Sequence, residues 1–328
     1  CSLESMTLTT HHLSRRFGDR LAVDNASFSV ERGRLTGFVG ANGAGKTTVM
    51  RMILGVLAPS AGTVTLDGVE LDQATRRSFG YMPEERGLYP KMALREQMIY
   101  FAQLHGLSKT RAAANSDELL ERLNLTDRAK DPIENLSLGN QQRAQVAVSL
   151  VHSPTALILD EPFSGLDPMA VDVILSVLTE NARRGIPLLL SSHQLDVVER
   201  LCDDLVIISE GQILAAGSIE DLRREHTRDR FRLVAPQDLG WVAAFPGVAA
   251  VEAQEATSEW GQPHVSDLVL TVEGAPDAQQ SAMRALVAEV TARGPLTSFG
   301  AVTTPLSVIF RDVVEGTTSD EDSQEATS

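Results

Sequence analysis

The 328-residue chain is 43% hydrophobic and 22% charged, with a formal net charge of −15. This is a globular composition with material for two domains at ~150 residues each. Cys1 and Cys202 are too few for a disulfide framework and fit a reducing compartment. No apolar run reaches the ~18 residues of a membrane-spanning helix, so any membrane role must come through a separate chain. The acidic balance argues against nucleic acid as a partner, because phosphate backbones are bound by clustered Lys and Arg.

Strand-sized apolar runs alternate with helical patterns from Leu8 to about Glu225, which predicts an α/β core with buried parallel strands. Residues 22–30 read as a strand, and 62–71 as a hairpin turning at Asp67-Gly68, which adds an antiparallel β layer. Core strands are predicted at 35–39, 156–160, 187–191 and 205–209, with helices at 94–104, 141–151 and 169–181.

The charged stretch 220–229 marks a boundary between a first domain over residues 6–225 and a small α+β domain, of ferredoxin-like type, over 230–315. After Pro276, Met283, Leu286, Val287 and Val290 share one helical face. A further helix opens at Thr304-Pro305, with Leu306, Ile309, Phe310 and Val313 at the same spacing. Residues 317–328 are acidic, Ser/Thr-rich and nearly without apolar side chains, so disorder is expected. Residues 1–5 read as a remnant ahead of a natural start at Met6.

The chemistry concentrates in two places. Gly40-Ala41-Asn42-Gly43-Ala44-Gly45-Lys46-Thr47 fits G-x-x-x-x-G-K-[ST], a loop whose backbone N–H groups close around phosphates. Lys46 adds a point charge, and the Thr47 hydroxyl is a ligand for Mg²⁺. An apolar strand enters the loop and a helix beginning near Thr48 leaves it. The phosphates therefore face a helix terminus carrying about half a positive charge. The second place is Leu157-Ile158-Leu159-Asp160-Glu161, a strand ending in two carboxylates. One acid near the metal, Asp160, and one near the attacking water, Glu161, are what hydrolysis of a Mg-nucleotide requires.

Between these lies Leu136-Ser137-Leu138-Gly139-Asn140-Gln141-Gln142-Arg143, which resembles the LSGGQ signature of ABC ATPases. Ser137 and the unobstructed N–H of Gly139, near a helix start, fit a second anion site, and locally they fit an N-cap serine with a glycine-containing turn equally well. Ser164-Gly165-Leu166-Asp167 is similar to the D-loop of that family, and Ser191-Ser192-His193 to its switch histidine. Phe17 stands where the family places an aromatic that stacks on adenine. The resemblance runs from about Leu8 to Glu225, with every major motif in order. It implies a P-loop NTPase ABC cassette: a RecA-like parallel core, an antiparallel β layer and a helical subdomain. It implies ATP bound by Phe17, the loop from Gly40 to Thr47, Thr48, Glu84 and Asp160, with Mg²⁺ at Thr47, Glu84 and Asp160. It also implies catalysis by Lys46, Glu161 and His193. Ser137, Gly139 and Asp167 then complete the pocket of a second subunit, identical or closely related.

Three positions depart from the family: Leu138 for Gly, Asn140 for Gln, and Glu84 for the Gln of the Q-loop. The run from Pro83 to Pro90, with the C-terminal extension around 304–314, looks like the ABC-2, export-type group. That resemblance implies a membrane permease on a separate chain and a place on the cytoplasmic face of the membrane. Two rival readings are a soluble ABC-type ATPase acting on ribosomes or DNA and a nucleotide-gated regulator that does not hydrolyse. A single cassette and the acidic balance argue against the first, and intact Glu161 and His193 against the second.

Overall fold

The computed structural model describes residues 7–85, 87–227, 230–253, 266–272, 274, 276–302, 305–311, 313 and 314. Two compact units divide between Ile219 and Glu220, and Phe310 groups with the first of them.

In the first unit, β1 (Leu8–Phe17), β2 (Arg20–Val30), β4 (Ala61–Leu66) and β5 (Val69–Glu70) form an antiparallel sheet in the order β2-β1-β4-β5. The predicted turn joins β4 to β5: Asp67 and Gly68 both hold left-handed φ, 54° and 75°. Two consecutive residues of that kind match the twist of a tight hairpin.

The second sheet has the order β10-β9-β3-β8-β7-β6. Its strands are β3 (Leu35–Val39), β6 (Gly80–Met82), β7 (Leu157–Leu159), β8 (Leu188–Ser192), β9 (Asp204–Ser209) and β10 (Gln212–Ser218). All but β10 run parallel. Every residue of β3 is buried, as a strand covered on both faces requires. The side chains divide by alternation. Leu157, Leu159, Leu188 and Leu190 enter an apolar cluster with α3 (Leu94–Leu104), α5 (Leu138–Leu150) and α6 (Pro168–Arg183). Ile158 and Leu189 enter another with Phe38, α1 (Lys46–Ile53) and the antiparallel layer. With α4 (Lys109–Arg122), α3 and α5 build the helical subdomain. Because the core strands are parallel, the segments leaving β3, β7 and β8 emerge at one carboxyl edge, where open α/β sheets bind ligands.

One expectation changes and another gains detail. Helix α5 starts at Leu138 rather than Gln141, because Ser137 caps it by accepting from the Asn140 N–H. The charged stretch read as a boundary is helical over Ile219–Thr227, where Arg224 pairs with Glu220 and Asp221 at 3.6 and 3.0 Å. Charges at i, i+3 and i, i+4 support an exposed helix.

The second unit contains β11 (Arg230–Ala235), β12 (Val248–Ala253), β13 (Ser266–Val272) and β14 (Ser298–Ala301), antiparallel in the order β12-β13-β11-β14. Helix Pro276–Arg293 joins β13 to β14 and buries Leu286 and Val290 against Leu233 and Leu270. The order is ferredoxin-like, with the 3-10 turn Gly240–Ala244 in place of the first helix. Residues 306–311 are helical, with Leu306 and Ile309 buried. The cap expected at Thr304, the tail 317–328 and residues 1–5 lie outside the described residues.

A histidine pair fastens the end of α3 to the end of α5. His105 and His152 stack with ring centroids 3.7 Å apart. His105 Nδ1 lies 2.9 Å from the Arg77 carbonyl, and His152 Nε2 lies 3.3 Å from that of Phe79. Burial and the neighbouring His105 depress the His152 pKa from 6.5 to about 4. Folding then holds His152 neutral while the unfolded chain takes up a proton, so stability is complete above 6.5 and lost on acidification towards 4. The site contributes a loss of about 3 kcal/mol across that window. His152→Gln is therefore expected to flatten this part of the acid limb, measured as Tm against pH beside the native protein.

Candidate active site

The loop after β3 is shaped by its glycines. A Cβ on Gly40 would lie 2.3 Å from the Ile208 carbonyl oxygen, so the backbone approaches β9 only without a side chain. Gly45 caps α1 with φ 110°, a left-handed conformation that turns the chain sharply into the helix. Lys46 is buried at 7% exposure, and its ammonium donates to the carbonyls of Gly40 (2.7 Å) and Ala41 (3.2 Å). This bends the side chain back along the loop and leaves one ammonium hydrogen for a ligand.

Thr47 Oγ1 donates to Asp160 Oδ2 at 2.9 Å, bridging the start of α1 and the end of β7. The other Asp160 oxygen accepts from Ser191 Oγ at 2.5 Å, and Ser191 Oγ accepts the Glu161 N–H at 2.9 Å. Glu161 has φ 52°, which turns the chain off the strand after Leu159. Its carboxylate meets His193 Nδ1 at 2.9 Å. Burial pushes the Glu161 pKa up, against the His193 hydrogen bond and the charge of Lys46.

These groups face a cleft of about 480 Å³, a volume typical of small-molecule sites. Of the predicted residues, Phe17, Asn42, Gly43, Gly45, Lys46, Thr47, Thr48, Glu84, Asp160 and Glu161 line it. Phe17 is 47% exposed at the tip of the β1–β2 hairpin, with the Arg15 guanidinium 4.7 Å from its ring centroid. Gly40 lies behind the loop, and Ala44 lines an adjoining groove. His193 touches the cleft through Glu161. Ser137, Gly139 and Asp167 are not among the lining residues. Ser137 caps α5, and Asp167 caps α6 by accepting from the Ala170 N–H at 2.8 Å.

Sequence reasoning missed Arg20 and Ala22 on the cleft wall, Ser191, which is fully buried, and Gln142, whose amide donates to the Glu161 and Pro162 carbonyls. Ser191 and Gln142 both stand inside quoted motifs, but nothing local shows that their side chains bond to the β7 loop.

The donor set fits Mg²⁺ better than a metal held by protein alone. Among the described residues no group of three or more His, Cys, Asp and Glu could hold an ion. One hydroxyl and one carboxylate, Thr47 and Asp160, already lie together at the cleft. Mg²⁺ is commonly held by one or two such groups and substrate phosphates.

The raised Glu161 pKa has a thermodynamic consequence. Its contribution to stability is present below the ordinary value of 4.5 and is lost as pH rises through the folded value. Glu161→Gln is therefore expected to raise the Tm of the nucleotide-free protein at neutral pH. The gain should vanish below 4.5, as differential scanning fluorimetry at the two pH values would show.

The sequence model of the family described as "ABC transporter" matches residues 23–164. An ABC transporter ATP-binding protein of Bacillus subtilis, YhaQ, is 39% identical over 74% of this chain and 81% of its own length. The linearmycin resistance ATP-binding protein LnrL of the same organism is 34% identical over 66% of this chain and 70% of its own. The Nod factor export ATP-binding protein I of Burkholderia lata is 38% identical over 63% and 69%. Among solved structures, an ATP-binding subunit of an ABC transporter aligns with TM-score 0.62 at 33% identity, covering 67% of this chain and 92% of that one. The cbiO1 protein of Clostridium perfringens, part of an ABC transporter complex, aligns with TM-score 0.61 at 28% identity, covering 69% and 94%. The chain belongs to the ATP-binding subunits of ABC transporters, enzymes that bind ATP and couple its hydrolysis to transport.

Proposed function

We propose that this subunit powers an ABC-2-type permease on a separate chain, as an exporter, from the cytoplasmic face of the membrane. Among the described residues no helix is long and apolar enough to cross a membrane, so on this reading the translocation path belongs to the permease. Relatives named for linearmycin resistance and Nod factor export support the outward direction. The permease docks near Glu84 and the helical subdomain. An ATPase domain spans 6–225 and a small domain spans 230–315, the second serving dimerisation or regulation.

The observation that carries the reading is the convergence of Lys46, the Thr47–Asp160 pair and the Glu161–His193 pair on one cleft. The loop from Gly40 to Thr47 and the adjoining Thr48 cradle the triphosphate with backbone N–H groups, and Lys46 offsets its charge. Phe17 presents its uncovered ring to adenine. Thr47, Asp160 and Glu84 would hold Mg²⁺, which neutralises charge on the phosphates when bound. Glu161 takes a proton from the attacking water, and His193 fixes the carboxylate from one side while reaching the γ-phosphate from the other.

Two copies, identical or closely related, close over two nucleotides, with Ser137, Gly139 and Asp167 of each completing the other's pocket. Two uncovered apolar side chains support such an interface: Leu138 is 60% exposed at the start of α5, and Met169 is 81% exposed at the start of α6.

Glu161→Gln should retain ATP affinity, slow hydrolysis by about 10²-fold or more and accumulate a closed dimer on gel filtration with ATP. Turnover at the native rate would remove Glu161 from the role of base. Lys46→Ala should instead weaken binding itself, read by titration with a fluorescent nucleotide. A nucleotide affinity unchanged by that substitution would count against the loop assignment.

A further inference from the structure

Gln142 sits in the first turns of α5, five positions after the Ser137 cap, with 8% of its surface exposed. Its Nε2 donates to two carbonyls at once, Glu161 O and Pro162 O, each at 3.0 Å. Gly139 stands on the same stretch of helix, where an added Cβ would meet Leu166 at ordinary contact distance, 3.6 Å. The first turns of α5 therefore hold the passage after β7 at Glu161 and Pro162 and lie beside Leu166.

That passage needs holding. Glu161 is a non-glycine residue with φ 52°, a conformation that costs about 1–3 kcal/mol and persists only where the surroundings over-determine it. Its N–H is fixed by Ser191 Oγ on β8. Its carbonyl accepts from the Ser164 N–H at 3.2 Å, a bond internal to the turn that moves with it. The bond from Gln142 comes instead from another element. Rotation of the backbone at Glu161 would swing the carboxylate away from His193, now 2.9 Å distant. Gln142 and Ser191 hold that rotation from opposite sides.

We propose that Gln142 is a positioning residue for hydrolysis: it locks the Glu161 backbone to the signature helix, so that α5 sets the aim of the carboxylate in its own chain. The proposal rests on Glu161 acting as the base and deepens that reading. If the start of α5 also meets the nucleotide of a second copy, capture of that nucleotide is transmitted through Gln142 to the opposite site. The two sites then share a mechanical link as well as an interface.

The test uses Gln142→Met, which keeps the volume and removes both donors, and Gln142→Glu, which keeps the shape and sets a carboxylate against two carbonyls. Steady-state ATPase of the full chain is measured against ATP concentration and normalised to nucleotide sites titrated with a fluorescent ATP analogue. The expected result is a kcat lower by about 10–100-fold, as misplacement of a reacting group on the ångström scale produces. KM for ATP should stay within about twofold, because the groups that bind it are untouched. Normal kcat in either variant overturns the proposal, as does a change in KM alone. Glu161→Gln measured in parallel separates the two claims: a native rate there sinks the base assignment, and a stalled rate beside normal Gln142 variants sinks this one.

Discussion

Asp160 is bonded through both carboxylate oxygens, to Thr47 at 2.9 Å and to Ser191 at 2.5 Å. One side chain thereby cross-braces three elements, the start of α1, the end of β7 and β8. Such a brace is possible only because the strands are parallel and neighbouring, so that the segments leaving β3, β7 and β8 arrive at one edge. Without it, the phosphate loop and the carboxylate pair would be two unrelated local features. A carboxylate buried to 1% exposure is tolerable where charge-assisted hydrogen bonds replace its water. Through Ser191 the brace extends to the Glu161 backbone, and through His193 to its carboxylate. The site is a network anchored on β8 as much as on β7.

What the sequence made legible was local. The 40–47 loop has a spacing that few other structures require, and the Asp67-Gly68 turn pairs residue types that accept φ 54° and 75°. The buried strands announced themselves as apolar runs because both faces are covered. Pairings across the sheet were not legible. Ser191 lies 31 positions from Asp160, and nothing in a serine at a strand end reveals that its hydroxyl faces the next strand. The start of α5 was read too late because Leu138-Gly139-Asn140 includes weak helix formers. The Ser137 cap outweighs that weakness. The stretch 220–229 reads as a boundary because charge suggests solvent; the two units divide between Ile219 and Glu220, and what charge alone does not show is the ion-paired helix there.

One of the two departures from the signature is absorbed within the chain. Asn140 accepts from Arg143 Nη2 at 2.8 Å, and Arg143 Nη1 donates to the carbonyl of Leu123 at the end of α4, 3.2 Å away. The shorter side chain thus helps tie α5 to its neighbour in the helical subdomain. Leu138 makes no comparable inward contact and stays 60% exposed, which leaves an apolar group beside the helix terminus.

That contrast bears on the proposed pairing of two copies. The near side of the cleft carries a lysine, a metal-competent pair, an aromatic ring and a poised base. The start of α5 offers a hydroxyl, backbone N–H groups and a helix dipole, a combination suited to anions, yet lies outside that lining. Its capping bond from Asn140 N–H to Ser137 Oγ spans 3.4 Å, near the limit for a hydrogen bond. A terminus so loosely satisfied gains more from a phosphate than a fully capped one would. In a family that couples ATP hydrolysis to transport, that gain is available when a second chain brings the nucleotide within reach. On the proposed pairing of two copies, closure would be driven by a helix end completing its own hydrogen bonds as it completes its neighbour's pocket.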